Sequence, residues 1–166
     1  MGTRNLTEVK VNDKIKIAQY GQWDGYPTGQ GQTIVDFLKT VDLEKFKKQV
    51  EALGEYTEAA LKKASADAGS DGSGWMTMDV AKKLHEAHPA LNRDYGAGIL
   101  QLVHDGKVSK MVLRSSFKED ELFCEYAYMI DLDKETVTVS GRVKTQTFTF
   151  KQWTKGLMKK LQAERD

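Results

Sequence analysis

The fold is decided by residues 3–20, which read TRNLTEVKVNDKIKIAQY. Side chains of alternating polarity run through residues 3–11 and again through residues 14–20, which is the period of a β-strand. Asn12 and Asp13 lie between the two runs and favour a tight turn. The stretch therefore predicts a β-hairpin at the amino terminus.

A second β-rich region occupies the last third of the chain. Its strand-like stretches are residues 111–115, 122–132, 136–140 and 147–150. The acidic turn at residues 133–135 predicts that the two middle stretches form another hairpin. Because strands at both ends of a chain most simply join one sheet, we expect a single antiparallel sheet with helices packed on it.

The middle of the chain has the period of amphipathic helices. Helices are predicted at residues 33–38, between Asp42 and Gly54, and at residues 57–68, 78–88, 95–104 and 152–164. Asp42 and Thr77 are expected to cap the helices that follow them. Residues 69–74, GSDGSG, predict a flexible loop that is too short to be a domain linker. We therefore expect one α+β domain over residues 1–166, with a middle helical segment and a carboxy-terminal helix.

The composition excludes several classes of protein. A chain of 166 residues that is 40% hydrophobic can build the core of one domain. Its net charge of +1 produces no field that would attract nucleic acid or a membrane surface. No apolar run approaches the ~18–20 residues that a membrane span requires. The single cysteine, Cys124, cannot form an intrachain disulfide, so a reducing cytoplasm is expected.

No metal or cofactor is expected. Only two residues separate His85 from His88, which differs from the His-Glu-x-x-His spacing of a zinc site. Cys124 lies in a predicted strand among aromatic residues, which favours a buried thiol over a nucleophile.

The most informative segment is residues 19–31, QYGQWDGYPTGQG, which follows the hairpin. Aromatic rings offer flat apolar faces, amides and a carboxylate offer directional contacts, and glycine lets the backbone approach a ligand closely. The segment predicts a site for a planar polar molecule, formed by Gln19, Tyr20, Gln22, Trp23, Asp24, Tyr26 and Gln30. The alternative is a rigid loop in which Trp23 fills the core, Gln22 satisfies the backbone and Asp24 caps a turn.

Charged residues elsewhere extend this candidate site. Arg4 precedes the first strand and Arg93 stands beside Asp94, so two guanidinium groups are available to bind phosphate. The stretch of residues 94–98 before a predicted helix could present backbone N–H groups to an anion. Ordinary surface ion pairs are the alternative for both arginines.

Part of the chain resembles a known family. The opening MGTRNLT, followed by AQYGQWDGYPTGQG, is similar to a family of uncharacterised small proteins of phages and bacteria that begin MGTRxLT…AQYGQWDGYPxGQG. The resemblance covers residues 1–38, with looser matches at residues 91–100 and 125–132. It implies a phage or prophage setting and the cytoplasm of a bacterial host, but no established activity.

The amino-terminal hairpin also has a weak similarity to amino-terminal-nucleophile hydrolases. Those enzymes use a terminal Cys, Ser or Thr, whereas removal of Met1 would expose Gly2 here. We therefore expect a non-catalytic binder of a small anionic or nucleotide-like ligand, which in the phage setting would sequester a host immune signal. A hydrolase and a module that binds a host protein are the alternatives, and a homo-oligomer is possible.

Overall fold

A computed structural model of the chain describes residues 2–120 and 123–165. Met1, where the family-like opening begins, and Leu122, where the longest predicted strand begins, lie outside the described residues. The strands are β1 (Asn5–Val11), β2 (Lys14–Gly21), β3 (Gly54–Glu55), β4 (Lys110–Met111), β5 (Tyr126–Asp131), β6 (Thr136–Gly141) and β7 (Gln146–Thr149). The α-helices are α1 (Gln32–Thr40), α2 (Leu43–Ala52), α3 (Glu58–Asp67), α4 (Met78–Ala87), α5 (Ile99–His104) and α6 (Lys155–Arg165).

One five-stranded sheet joins the two ends of the chain in the order β2-β1-β5-β6-β7. The α+β class and the shared, mostly antiparallel sheet are confirmed. The central junction differs, because β1 and β5 run parallel from Asn5↔Tyr126 to Lys10↔Asp131. The long chain between them, which contains α1 to α5, allows a crossover that a short turn could not provide.

The two faces of the sheet bear cores of different size. On one face, Val9, Ile17 and Tyr128 belong to the main core, which includes apolar residues of α1, α2, α5 and α6. The opposite face, called here the outer face, carries a small cluster around Leu6 and Ala127. Residues 112–120, the covering segment, pack Leu113 and Phe117 against that cluster.

The predicted helix starts agree with the structure where a cap marks them, whereas α5 and α6 begin four and three residues after the predicted positions. The side chain of Asp42 accepts a hydrogen bond from the Lys45 N–H at 3.1 Å, and Thr77 caps α4 in the same way. The helix predicted over residues 95–104 begins as a 3₁₀ turn, Gly96–Gly98, before α5. The strand predicted over residues 111–115 is limited to β4, and a 3₁₀ helix, Ser115–Glu119, follows.

The segment after the hairpin is more regular than its sequence suggests. Pro27–Gly31 forms a π-helical turn that continues directly into α1. Pro27 stands at the first position of this turn, where the missing N–H of proline is not needed for a hydrogen bond. Within the described residues, no helix has the length and apolar character to span a membrane.

Candidate functional site

The loop of residues 21–31 is fixed to the rest of the molecule by its backbone. The Gly25 N–H donates to the Thr3 carbonyl at 2.9 Å, and the Gly25 carbonyl accepts from the Tyr128 hydroxyl at 2.7 Å. A Cβ atom at Gly29 would collide with the Asp24 carbonyl oxygen, so only glycine allows this close approach. The loop is therefore a rigid part of the fold.

Gln30 holds this loop together from the inside. Its side chain is buried, and its Oε1 accepts from the Ala97 N–H at 2.7 Å. Its Nε2 donates to the Trp23 carbonyl at 3.0 Å. Because both ends of its amide bind backbone groups, Gln30 performs the structural role that the alternative interpretation gave to Gln22, whose Oε1 instead accepts from the Tyr20 hydroxyl.

Gln19 occupies a comparable position on β2. Its side chain is buried, and its Nε2 donates to the Asn92 carbonyl at 3.3 Å. A backbone bond of 2.9 Å from the Gln22 N–H to the Arg93 carbonyl lies alongside. These two contacts place residues 92–93 against the end of β2, which brings Arg93 next to the loop.

Trp23, Asp24 and Tyr26 lie at the surface and bind one another or Asp94. The Trp23 indole, 45% exposed, donates to Asp94 Oδ1 at 2.8 Å. The Tyr26 hydroxyl donates to Asp24 Oδ1 at 3.1 Å, and this hydrogen bond raises the pKa of Tyr26 above its ordinary value. Trp23 is therefore not the core-filling residue of the structural alternative.

Tyr20, at the end of β2 just before the loop, lines an open cleft. Its hydroxyl donates to Gln22 Oε1 at 2.5 Å, and its ring meets the Phe117 ring edge-on with centroids 4.9 Å apart. Desolvation raises the pKa of the Tyr20 hydroxyl, while the charges of Arg4 and Arg93 act in the opposite direction. Tyr20 therefore lies within the field of both arginines.

The cleft beside Tyr20, called here the arginine cleft, has a volume of about 590 Å³. Its lining consists of Tyr20, Leu91, Arg93, Arg114, Ser116, Phe117 and Asp120. A hollow of about 140 Å³ adjoins it and adds Gln19, Ala90 and Val112 to the shared residues. The volume falls within the range of ligand pockets, roughly 300–1,000 Å³.

Arg93 and Arg114 are the chemically distinctive groups of the arginine cleft. Both side chains are exposed. Among the residues that the structure describes, neither guanidinium group has a hydrogen bond or an ion pair with another residue. Two unpaired guanidinium groups beside an aromatic ring can bind a planar molecule that carries a phosphate.

Arg4 lies close to this cleft, but its side chain and its backbone N–H already contact other residues of the protein. Its guanidinium carbon is 4.8 Å from the centroid of the Phe123 ring, a cation–π contact. Its Nε is buried and has no hydrogen-bond partner in the described part of the chain, and its backbone N–H donates to Glu125 at 2.8 Å. Arg142 neutralises the other oxygen of Glu125 at 2.8 Å.

The covering segment forms one wall of the arginine cleft and is anchored to the outer face. The Arg114 N–H donates to the Ala18 carbonyl at 3.0 Å, and Lys118 Nζ lies 2.9 Å from Glu8 Oε1. Glu8 is fully buried, and its Oε2 has no partner among the described residues. The ion pair with Lys118 therefore offsets most of the free-energy cost of burying the Glu8 carboxylate.

The structure brings together only some of the predicted site residues. Gln19, Tyr20 and Arg93 line the arginine cleft or its adjoining hollow, and Gln22 bonds to Tyr20. Trp23, Asp24, Tyr26, Gln30, Asp94 and Arg4 are not part of that lining. Sequence reasoning missed Arg114, Ser116, Phe117 and Asp120, although the alternation of Met111 and Leu113 with Val112 and Arg114 indicated that Arg114 faces outward.

Two positions that could supply the nucleophile of a hydrolase, Cys124 and residue 2, are restricted by their surroundings. Burial raises the pKa of the Cys124 thiol to about 11, which keeps the thiol protonated near neutral pH. A side chain at Gly2 would collide with the Gln22 carbonyl and the Trp23 ring. In the described part of the chain, no group of three or more His, Cys, Asp or Glu residues is placed to hold a metal ion.

No family model, curated protein or solved structure matches this chain.

Proposed function

We propose that the protein is a non-catalytic binder of a small, planar, anionic ligand of the nucleotide class. In the phage setting that the family resemblance implies, the ligand would be a host nucleotide-type immune signal that the protein sequesters. The proposed site is the arginine cleft. The observation that carries the proposal is a pair of guanidinium groups beside the Tyr20 ring, those of Arg93 and Arg114, which have no partner within residues 2–120 and 123–165.

Charge explains why a phosphate fits this cleft. Guanidinium groups bind phosphate through paired N–H donors, and such charge-assisted hydrogen bonds are roughly twice as strong as neutral ones. Arg4 adds a third positive charge nearby, since its field reaches the Tyr20 hydroxyl. One carboxylate, that of Asp120, is in the lining, and its Oδ1 accepts from the Phe123 N–H at 3.1 Å.

Rings and hydroxyls in the same cleft suit the rest of a nucleotide. Tyr20 and Phe117 offer aromatic surface against which a base can pack. Ser116 offers a hydroxyl for a hydrogen bond to a sugar hydroxyl or a base edge. The site thus combines apolar contact with a small number of polar groups, as small-molecule sites commonly do.

The surroundings of the two candidate nucleophile positions, Gly2 and Cys124, favour binding over hydrolysis. Gly2 has no side chain and no space for one, so an amino-terminal nucleophile of the Cys, Ser or Thr type does not fit there. Cys124 is buried and protonated near neutral pH, so it offers no thiolate. Both features support a protein that holds its ligand unchanged.

Mass spectrometry of the native protein tests the proposal. The protein is purified without denaturant from bacteria, incubated with a nucleotide extract of phage-infected cells, washed and heated. We expect an intact nucleotide-type molecule to be released in a stoichiometric amount. Release of a cleaved product would instead support the hydrolase, and the absence of any nucleotide would contradict binding.

A pair of charge variants locates the site. The double variant Arg93→Gln/Arg114→Gln should release little or no ligand while it keeps the melting temperature of the wild type, since neither side chain has a partner to lose. The matched control, Lys144→Gln/Lys159→Gln, removes the same charge from exposed positions and should release the full amount. Equal release by both double variants would show that the ligand binds elsewhere.

A further inference from the structure

A second basic cleft lies on the other side of residues 87–91. This lysine cleft, named for Lys63, Lys107 and Lys110 in its lining, has a volume of about 340 Å³. The three lysines are exposed, and none forms an ion pair with a described residue. Asp67 is the one carboxylate of the lining, so positive charge prevails there.

The lysine cleft, the hollow of about 140 Å³ and the arginine cleft follow one another through shared lining residues and are together called here the groove. Ala90 borders both the lysine cleft and the hollow. Leu91, Arg93 and Arg114 border both the hollow and the arginine cleft. The hollow therefore lies between the two basic clefts.

One wall of this groove follows from the alternation of an extended chain. Lys110, Val112 and Arg114 border the groove at successive points, from the lysine cleft to the arginine cleft. The intervening residues, Met111 and Leu113, pack into the hydrophobic clusters. Side chains at every second position of an extended segment share a face, which explains the arrangement.

The distance between Lys110 and Arg114 along this wall limits the length of a ligand that can contact both residues. Four residues of extended chain span at most about 14 Å, so the Cα atoms of Lys110 and Arg114 are no farther apart than that. The hollow between the clefts has Ala90, Leu91 and Val112 in its lining, together with Gln19, Tyr20 and the two arginines that it shares with the arginine cleft. The groove therefore has lysines at one end, arginines at the other, and apolar side chains between Lys110 and Arg114.

His88 adds a further donor at the lysine end. Its Nδ1 lies 2.8 Å from the Tyr56 hydroxyl. When that hydroxyl donates to Nδ1, the other ring nitrogen, Nε2, is the one that carries a proton and can act as a donor. Both His88 and Tyr56 belong to the lining of the lysine cleft.

We infer that the lysine cleft is a second phosphate site and that the ligand carries two separated phosphate groups, as a 5′-phosphorylated dinucleotide does. This inference rests on the proposed function, since it assigns one phosphate to the arginine cleft and the other to the lysine cleft. The nucleoside between the two phosphates lies over the hollow, against Leu91 and Val112. A ligand held at both ends binds more tightly because its second contact is intramolecular.

Calorimetry with two sets of probes tests the inference. The first set contains the nucleoside 5′-monophosphates, and the second contains the 5′-phosphorylated dinucleotides of every sequence. We expect the tightest dinucleotide to bind at least about tenfold more strongly than any mononucleotide. The advantage should shrink as ionic strength rises, because the added contacts are electrostatic and exposed.

Variants at the lysine end separate this inference from the proposed function. Lys107→Gln/Lys110→Gln should lower dinucleotide affinity to the mononucleotide level and leave mononucleotide affinity unchanged, whereas the control Lys159→Gln/Lys160→Gln should change neither. If mononucleotides bind and dinucleotides have no advantage, or if the Lys107→Gln/Lys110→Gln protein keeps that advantage, the second phosphate site is refuted while the proposed function stands. If neither probe set binds, both fail together.

Discussion

The polar side chains of the loop of residues 21–31 and those of the groove beside it differ in what they bind. In the loop, polar side chains bind the protein itself: Gln30 bridges two backbone groups, and Trp23 donates to Asp94. In the groove, Arg93 and Arg114 have no partner among the described residues. The difference shows that richness in amides and aromatic rings does not by itself identify a binding surface, whereas polar groups left unpaired around a cleft indicate one.

The largest effect on stability is expected at Gln30. Gln30→Ala leaves the buried Ala97 N–H without its acceptor, removes one of the two donors to the Trp23 carbonyl and empties the space of a buried side chain, so it should lower the free energy of unfolding by about 3 kcal/mol. Urea denaturation measures the change. The control is Gln101→Ala, which removes an exposed bond to Asp105 and should cost less than about 0.5 kcal/mol. Equal losses in the two variants would mean that the loop does not depend on Gln30.

A smaller loss is expected where the covering segment is anchored. Lys118→Met leaves the fully buried Glu8 carboxylate without its ion pair and should lower the free energy of unfolding by about 2 kcal/mol, less than for a wholly buried pair because the Lys118 side chain is 43% exposed. Thermal and urea denaturation provide the measurement. The double variant Glu8→Met/Lys118→Met should recover most of the loss, and a failure to recover it would assign the effect to packing instead of charge.

The arginine cleft is tested more finely by a substitution that keeps charge. Arg114→Lys retains the positive charge but loses the forked donors that match a phosphate, so ligand affinity should fall about tenfold, or about 1.4 kcal/mol. Calorimetry with the ligand recovered from the native protein measures the change, and Lys144→Arg provides the matched control. An unchanged affinity would indicate that Arg114 acts only as a point charge.

The smallest effect is expected at Trp23, on the loop side of the comparison. Because Trp23 is not in the lining of the arginine cleft, Trp23→Ala should change ligand affinity by less than about twofold. Its loss of the Asp94 bond should cost about 1 kcal/mol of stability. A tenfold loss of affinity with unchanged stability would reverse the comparison and make the exposed loop the binding surface.

Sequence patterns predicted the local elements of this fold better than their pairing. The amino-terminal hairpin and the caps of α2 and α4 agree with the predictions, because alternation and capping chemistry are set by neighbouring residues. The parallel pairing of β1 with β5 was not predictable, since alternating polarity indicates which face of a strand is buried and does not indicate the direction of its neighbour.

The same limit applies to the candidate site. Gln19 and Tyr20 could be selected because they belong to an unusual segment, and Arg93 because it is a guanidinium beside Asp94 at a predicted helix start; the structure places all three at the arginine cleft or its adjoining hollow. Arg114 contacts that cleft only because the covering segment crosses the outer face of the sheet. Such a long-range crossing depends on tertiary packing, which no local pattern records.

The parallel pairing of β1 with β5 at the centre of the sheet also affects when the sheet can form during synthesis of the chain. Asn5 in β1 pairs with Tyr126 in β5, so the first strand emerges from the ribosome well before its central partner. Until then, the apolar face of the amino-terminal hairpin has no completed sheet to join. We therefore expect the sheet to form late in translation, and contacts between residues so distant in sequence are associated with slow folding.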